Sequence, residues 1–382
     1  MKKLFLCAAA IALQGVLFAA LPGDKPGETK HKLQWIDCSP APLGKIDAKK
    51  HKNIPACRAV VFMYTRAQDS DRTFVMLENL RRQYYEKLLV IAITPDQVRD
   101  AQIFRKRHPD ARVRMAVDQS RRLTPEFMKG TIMLFPMAFL MDADGMILWR
   151  GEAVDLPEMF ERYQAGKLDL NTQKKCDPLV YKMQQAMRDG NMFKCRDAAA
   201  ELLKVDPANP SALRMLVFAS ETLGNPGAAW KAVQELTKKV PGLPRLYFTA
   251  LDLIVRHSTL RAELPGLIRN FGKQPFIPAV RCAFADALLS SFQFESAAVL
   301  GAKEILAATP MALSAPAEQM AHLLAVRARL NYALGNLDSA EADMAEAVQL
   351  FKSSADKNML MRAQKQLQFF RAIIADKKGS AR

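Results

Sequence analysis

The sequence feature that most constrains the fold is a pair of apolar runs joined by a short polar turn. The first run follows Pro136, the second ends at Trp149, and Asp142-Ala143-Asp144-Gly145 joins them. Because glycine tolerates the positive φ of tight turns, this pattern predicts a β-hairpin. Proline has no backbone N–H to donate, so Pro136 belongs at a strand start, and the Phe135–Pro136 bond is a candidate for a cis peptide.

An alternation of short strands and helices precedes and follows this hairpin. Hydrophobic spacing predicts strands at 59–64, 88–93 and 112–117, and helices at 74–84, 97–106, from 124 onward and at 156–164. Such alternation predicts an α/β sheet covered by helices on both faces. Residues 21–50 are rich in Pro, Gly and Lys and are interpreted as a linker with one short strand at 33–36.

Pro136 with its strand and closing hairpin resembles the corresponding part of thioredoxin-fold proteins, above all the periplasmic branch that includes TlpA-like thiol-disulfide reductases. In that family a Cys-x-x-Cys opens the helix after an earlier strand, and the matching stretch here is 60–77. Ala67 and Ser70 stand where the two cysteines would be. The resemblance covers about residues 57–170 and implies a thioredoxin-like domain.

The two replacements predict a domain without oxidoreductase activity at the usual site. Thiol-disulfide exchange needs an attacking thiolate and a second sulfur, and neither alanine nor serine supplies them. A serine nucleophile needs a neighbouring base, and no histidine is near Ser70 in the sequence.

The resemblance also implies a peptide-binding surface, because the family holds extended peptides against the loop before its cis-proline. Strand addition needs only main-chain hydrogen bonds, so a domain without the two catalytic cysteines can still bind a peptide. The alternative is that the helical part of the chain binds alone. The candidate binding residues are Arg66, Ala67, Gln68, Asp69, Ser70, Phe135 and Pro136, with Met133 and Leu134 beside them.

The pattern of the N-terminus is typical of a secretory signal peptide. Lys2 and Lys3 precede an uncharged apolar run from Leu4 to Ala20, and cleavage is expected after Ala19 or Ala20. An uncleaved anchor and a lipoprotein are the competing interpretations. The run is short for a membrane span, and Cys7 comes too early for lipidation. We therefore expect an exported protein, periplasmic or secreted.

Five of the six cysteines remain after removal of residues 1–20, so at least one thiol is unpaired. Cys38 and Cys57 flank a polar segment and are the predicted disulfide in an oxidising compartment. The alternative is an oxidoreductase or isomerase that uses Cys38 or Cys57. No cysteine or histidine spacing fits zinc, and methionines 128, 133, 137, 141 and 146 are interpreted as core residues, not copper ligands. No metal or cofactor is predicted.

The chain is strongly basic, with a formal net charge of +16 that falls to +14 without Lys2 and Lys3. A basic surface attracts polyanions, which outside the cytoplasm are acidic glycans or anionic surfaces. No nucleic-acid-binding motif accompanies the charge, so nucleic acid is not expected and a solvated basic face is preferred. The basic clusters are 49–52, 81–82, 105–108, 112, 114 and 121–122.

From about Cys176 the chain is helical and repetitive. Prolines 207, 241, 275 and 310 recur at steps of 34, 34 and 35, and Gly-Asn pairs begin at 190, 224 and 335. This period resembles tetratricopeptide repeats, with small residues at Cys195, Ala229 and Ala340 five positions after the glycines. Ser258, Glu263 and Gln293 depart from the pattern, so some helices are expected to be displaced, and 359–376 is predicted as a capping helix.

The sequence thus predicts a signal peptide (1–20), a linker (21–56), a thioredoxin-like domain (57–172) and a helical repeat domain (173–376). Stacked helix pairs bind peptides or proteins and seldom perform chemistry. The predicted function is that of an exported, non-catalytic interaction protein with a redox-inactive thioredoxin-like domain.

Overall fold

The computed structural model describes residues 20–26, 33–47, 54–128, 135–292, 295–309, 316–353 and 357–380. These residues form two compact units that divide between Leu223 and Gly224. The predicted signal peptide up to Ala19, and Met133 and Leu134 of the predicted binding surface, lie outside the described residues.

The first unit is built on a six-stranded mixed sheet. The strand order across the sheet is β1-β4-β3-β2-β5-β6; β2, β3 and β4 are parallel, and β1, β5 and β6 run antiparallel to their neighbours. The Phe135–Pro136 bond before β5 is cis, as predicted. This arrangement is thioredoxin-like. The strands are β1 (Gln34–Ile36), β2 (Cys57–Phe62), β3 (Leu88–Thr94), β4 (Arg114–Val117), β5 (Met137–Met141) and β6 (Ile147–Glu152).

Helices cover both faces of this sheet, as the alternating pattern predicted. All six residues of β2 are buried, because alternate side chains enter opposite cores. Ala59 and Val61 pack in one core with Phe74 and Phe104, whereas Val60 and Phe62 pack in the other. Methionines 128, 137 and 141 lie in that second core. The covering helices are α1 (Ser70–Gln83), α2 (Val98–Arg107), α3 (Leu123–Met128) and α4 (Leu156–Gln164), the last preceded by a 3-10 turn at Ala153–Asp155.

Part of the segment interpreted as a linker is packed against the sheet. The Gly23 N–H donates to the Ile147 carbonyl at 2.7 Å, and the Ile147 N–H donates to the Asp24 carbonyl at 2.8 Å. Arg58, which is fully buried, donates to the Pro42 carbonyl at 2.9 Å and also contacts the Gly44 and Asp142 carbonyls. Residues 20–24 and 42–44 therefore belong to the folded unit, because backbone groups of the sheet and one buried guanidinium bind them.

The rest of the described chain consists of antiparallel helix pairs of tetratricopeptide type. Gly190, Gly224 and Gly335 adopt positive φ, and the side chains of Asn191 and Asn225 cap the helices that follow. The small residues Cys195, Ala229 and Ala340 are fully buried, as the repeat pattern predicted. The first unit contains α5 (Leu170–Arg188), α6 (Met192–Val205) and α7 (Pro210–Thr222).

The second unit is entirely helical in its described residues. The predicted capping segment 359–376 lies within its last helix, and the departure from the repeat at 258–263 is a 3-10 segment, Ser258–Glu263. Among the described residues, the length and hydropathy of every helix fall short of what a membrane span requires. The helices are α8 (Pro226–Lys239), α9 (Pro244–Arg256), α10 (Leu264–Gly272), α11 (Pro278–Ser291), α12 (Ser296–Ala307), α13 (Ala317–Ala333), α14 (Leu337–Phe351) and α15 (Lys357–Ser380).

Candidate functional site

The register of β2 against β5 brings the predicted binding residues to one edge of the sheet. Phe62 pairs with Met137, so Tyr64 lies opposite Phe135, and their ring centroids are 4.5 Å apart. The loop that begins at Arg66 leaves β2 at this edge, directly before α1. The loop and the cis-proline are thus neighbours although about 70 residues of chain separate them.

This loop presents an exposed surface over a fixed backbone. Residues 66–69 are exposed, and Phe135 and Pro136 are half-buried. The Thr65 N–H and hydroxyl both donate to the Asp96 carboxylate at 2.6 Å, and Arg66 forms an ion pair with Asp100. These bonds hold the loop to the segment after β3, so its exposed residues are presented in a defined conformation.

Ser70 is not placed as a nucleophile. Its side chain is buried, and its hydroxyl donates to the carbonyls of Thr65 and Ala67. The hydroxyl proton is therefore engaged in hydrogen bonds that stabilise the turn before α1. Its neighbour Ala67 has no group that can react.

The fold brings in one histidine that the sequence analysis missed. His108, at the end of α2, lies with its Nε2 2.7 Å from an oxygen of Asp71, and Arg107 binds the other oxygen at 2.7 Å. His108 and Asp71 are 37 residues apart, so no sequence pattern indicated that they meet. The dipeptide His108-Pro109 predicts only the end of a helix. The histidine binds Asp71 and not Ser70, so it forms no serine–histidine pair.

A shallow cavity of about 510 Å³ lies beside the loop, at the carboxyl ends of β3 and β4. Its wall includes Asp96, which binds Thr65 of the loop. Arg121, also in the wall, has a φ of 53°. The contact between Thr65 and Asp96 thus places this cavity next to the start of the loop.

Cys38 and Cys57, the predicted disulfide pair, both carry free thiols in this structure. Cys38 follows β1, whereas Cys57 begins β2, and β4 and β3 lie between these strands. Three strand spacings amount to about 14 Å, whereas bridged Cα atoms lie within about 7 Å. The Cys38 thiol instead contacts the Met115 carbonyl at 3.5 Å.

Cys57 is also badly placed for thiol chemistry. Burial raises its pKa to about 12, against a smaller opposing effect of Arg58, and only 3% of the residue is exposed. It lies at the start of β2, about 17 Å along the strand from the end that carries the candidate loop. Burial likewise raises the pKa of Cys176 to about 12 and that of Cys282 to about 11.

No other chemical centre emerges from the described part of the chain. It contains no cluster of three or more His, Cys, Asp or Glu side chains that could hold a metal ion. The five cysteines it includes are all unpaired.

The second unit contains a separate cavity of about 420 Å³ between α8, α9 and α10. Trp230 of α8, Tyr247 of α9 and Leu267 of α10 are apolar residues of its lining, which also includes polar side chains. One of these, Glu263, belongs to the 3-10 segment that precedes α10. The polar residues are Gln234, Thr237, Lys238, Glu263, Asn270 and Gln274.

No protein-family model and no curated protein sequence matches the chain. Among solved structures, similar ones include a protein from Chlorobium tepidum named as thiol:disulfide interchange protein DsbE, with 20% identity, 39% of this chain and 98% of that chain covered, and a TM-score of 0.29. StoA from Bacillus subtilis has 15% identity, 28% and 83% coverage and a TM-score of 0.24. The tetratricopeptide protein TTC0263 from Thermus thermophilus has 17% identity, 50% and 99% coverage and a TM-score of 0.30.

The chain thus combines a thioredoxin-like α/β domain with helical pairs of tetratricopeptide type. This assignment rests on the strand order, the cis-proline and the Gly-Asn turns described above.

Proposed function

We propose that this chain is an exported, non-catalytic protein-binding protein. Its thioredoxin-like domain binds an extended peptide segment at the edge formed by Arg66–Ser70, Phe135 and Pro136. The helical pairs supply a second surface for the same partner or another protein.

One observation carries this proposal. The cis bond at Phe135–Pro136 lies beside the loop that precedes α1, while Ala67 and the hydrogen-bonded Ser70 occupy the positions where the resemblance places two reactive cysteines. A surface that has a defined conformation but no reactive group is better suited to binding a peptide than to catalysing thiol-disulfide exchange.

The groups available at this edge suit a peptide ligand. Tyr64 is 41% exposed although its ring packs on Phe135, so an aromatic platform faces solvent. Aromatic side chains offer large contact areas at low entropic cost. Arg66 and Asp69 add charges of both signs beside it.

The cavity in the second unit supports a protein partner for the helical part. The cavity, of about 420 Å³, has room for a side chain or short peptide segment, and its lining includes Trp230, Tyr247 and three carboxamides. Carboxamides both donate and accept hydrogen bonds, so they match the peptide backbone.

The alternative function is a thiol-disulfide oxidoreductase that uses Cys38 or Cys57. A raised thiol pKa opposes it for Cys57, because the thiolate is the reacting form and a pKa of about 12 leaves almost none at neutral pH. Cys38 has no second cysteine nearby in the sheet, since three strand spacings separate it from Cys57.

A crosslinking experiment on the exported protein tests the proposal. A photoreactive phenylalanine derivative replaces Tyr64 at the candidate edge or, as a matched control, Tyr85, which is 62% exposed beyond the other end of α1. We expect specific adducts from position 64 and not from position 85.

An insulin-reduction assay on the same protein completes the test. Turnover that the Cys57→Ser or Cys38→Ser change abolishes would favour the oxidoreductase. Equal adducts from both photoreactive positions would instead remove the peptide-binding role of the candidate edge.

A further inference from the structure

We propose that a recess at the far end of α1, lined by Arg81, Arg82, Arg105 and Arg112, binds a tetrahedral anion of the phosphate-ester or sulfate-ester class. The recess has a volume of about 500 Å³. It lies about 16 Å along α1 from Ser70, so this inference is independent of the proposed peptide-binding edge.

Two of the arginines are held in place by one buried carboxylate. Glu78 is 5% exposed, and Arg81 binds it through two nitrogens at 2.8 and 3.0 Å. Arg82 donates its Nε to the same carboxylate at 2.9 Å. The backbone N–H groups of Arg112 and Val113 donate to it at 2.7 and 3.1 Å.

The Glu78 carboxylate thus accepts five hydrogen bonds, which occupy both of its oxygens. Three of these bonds come from guanidinium groups and fix the orientation of Arg81 and Arg82. Neither terminal nitrogen of Arg82 donates a hydrogen bond to another described residue, and 47% of this side chain is exposed. These N–H groups are therefore available to a ligand, and the buried anchor limits the entropy lost when they bind one.

The third arginine is oriented by main-chain acceptors. Arg105 donates to the His108 carbonyl at 3.1 Å and also to the Ala111 carbonyl. Neither acceptor carries a charge, so Arg105 keeps its full positive charge toward the recess. Arg112 completes the wall with an exposed side chain for which the described residues provide no acceptor.

The balance of charge selects the ligand class. Four arginines face two carboxylates, Glu78 and Asp110, so the lining carries two net positive charges. A doubly charged tetrahedral group matches this excess, and the planar fork of arginine binds such oxygens in pairs. Apart from Pro109 and Ala111, every residue of the lining is charged. The recess thus fits the anionic group, and the body of the ligand would lie outside.

Calorimetric titration of the full chain with inorganic phosphate, sulfate and glycerol 3-phosphate at constant ionic strength tests the proposal. The test variant is Arg82→Ala/Arg112→Ala, which leaves Arg81 and two backbone amides on Glu78. The matched control is Arg72→Ala/Arg122→Ala, which removes the same charge from exposed positions outside the recess. We expect saturable binding that weakens at least about tenfold in the test variant and stays unchanged in the control.

Two further arms define the recognition and the source of the anion. Arg82→Lys/Arg112→Lys keeps the charge without the fork, and we expect it to restore only part of the affinity. Sedimentation with phosphatidylcholine vesicles, with or without phosphatidic acid, distinguishes a lipid phosphate from a soluble ester. Binding of either the lipid phosphate or the soluble ester supports the site if the test variant no longer binds that anion. The proposal is overturned if no probe binds, or if the control variant loses as much affinity as the test variant.

Discussion

Glu78 illustrates how one buried side chain can link several parts of the first unit. Burial alone would raise the pKa of its carboxyl group, but hydrogen bonds from Arg81, from the Arg112 backbone and from Arg82 outweigh burial and lower the pKa from 4.5 to about 2. The folded state therefore binds the ionised form more strongly than the unfolded chain does. This difference contributes stability above the unfolded pKa and is lost as the pH falls toward about 2.

The Glu78→Gln variant should reveal this contribution as a pH-dependent difference. At neutral pH we expect the variant to be less stable by up to about 3 kcal/mol, and the difference to shrink between about pH 4.5 and pH 2. Urea denaturation of the first unit, followed by Trp35 and Trp149 fluorescence in a Trp230→Phe background, measures it.

The matched control is Asp110→Asn, which removes an exposed carboxylate from the same recess and should change stability by less than about 0.5 kcal/mol. A stability difference between wild type and Glu78→Gln that stayed constant down to pH 2 would contradict this account.

At the scale of elements, the close approach of α10 and α12 depends on a glycine. A Cβ atom added at Gly301 of α12 would lie 2.6 Å from Cδ1 and 2.9 Å from Cγ2 of Ile268 in α10. Ile268 is branched and 5% exposed, so it has little room to move. The helices can pack at this distance because residue 301 has no side chain.

The Gly301→Ala change should therefore destabilise the second unit by about 1–3 kcal/mol, despite the better helix propensity of alanine. Gly266→Ala is the control, since nothing lies within 4 Å of an added Cβ there, and it should be neutral or slightly stabilising. Hydrogen exchange of the α10 and α12 amides measures both. Equal protection in the two variants would show that Ile268 adjusts without cost.

At the scale of the molecule, three arginines form four ion pairs with carboxylates that join the first helices of the repeat region to the sheet domain. Arg150 of β6 binds Asp177 at 2.6 and 2.7 Å, and Arg162 of α4 binds Asp206 at 3.0 Å. Arg214 of α7 binds Glu152 at 2.7 Å and also binds Asp155, which is 1% exposed. These pairs explain why the first compact unit extends to Leu223.

A chain of residues 20–223 should therefore fold cooperatively, whereas one of residues 20–172 should be less stable by several kcal/mol. The shorter chain loses the carboxylates of Asp177 and Asp206, which pair with the largely buried Arg150 and Arg162, and it exposes to water the surface that α5–α7 cover. Denaturant titration of the two chains measures the difference. The Asp177→Asn variant of the longer chain is the control for a single lost pair. Equal stability of the two chains would support the boundary predicted at 172.

Local features of the fold could be read from the sequence because each depends on neighbouring residues. Proline before an apolar strand predicted the cis bond at Phe135–Pro136, and Gly-Asn pairs predicted the turns at 190, 224 and 335. That Ala67 and Ser70 carry no thiol was visible in the same way. These predictions depend only on the backbone preferences of single residues and on the spacing of apolar residues along the chain.

Contacts between distant residues follow from the packing of the whole fold and could not be read from local patterns. Strand order, which no local pattern encodes, separates Cys38 from Cys57 and brings His108 to Asp71. It also gathers Glu78 and four arginines from two separate stretches around one recess. Such contacts arise when the whole sheet and its helices bury their apolar faces, so local sequence patterns predict the elements, whereas packing decides which elements become neighbours.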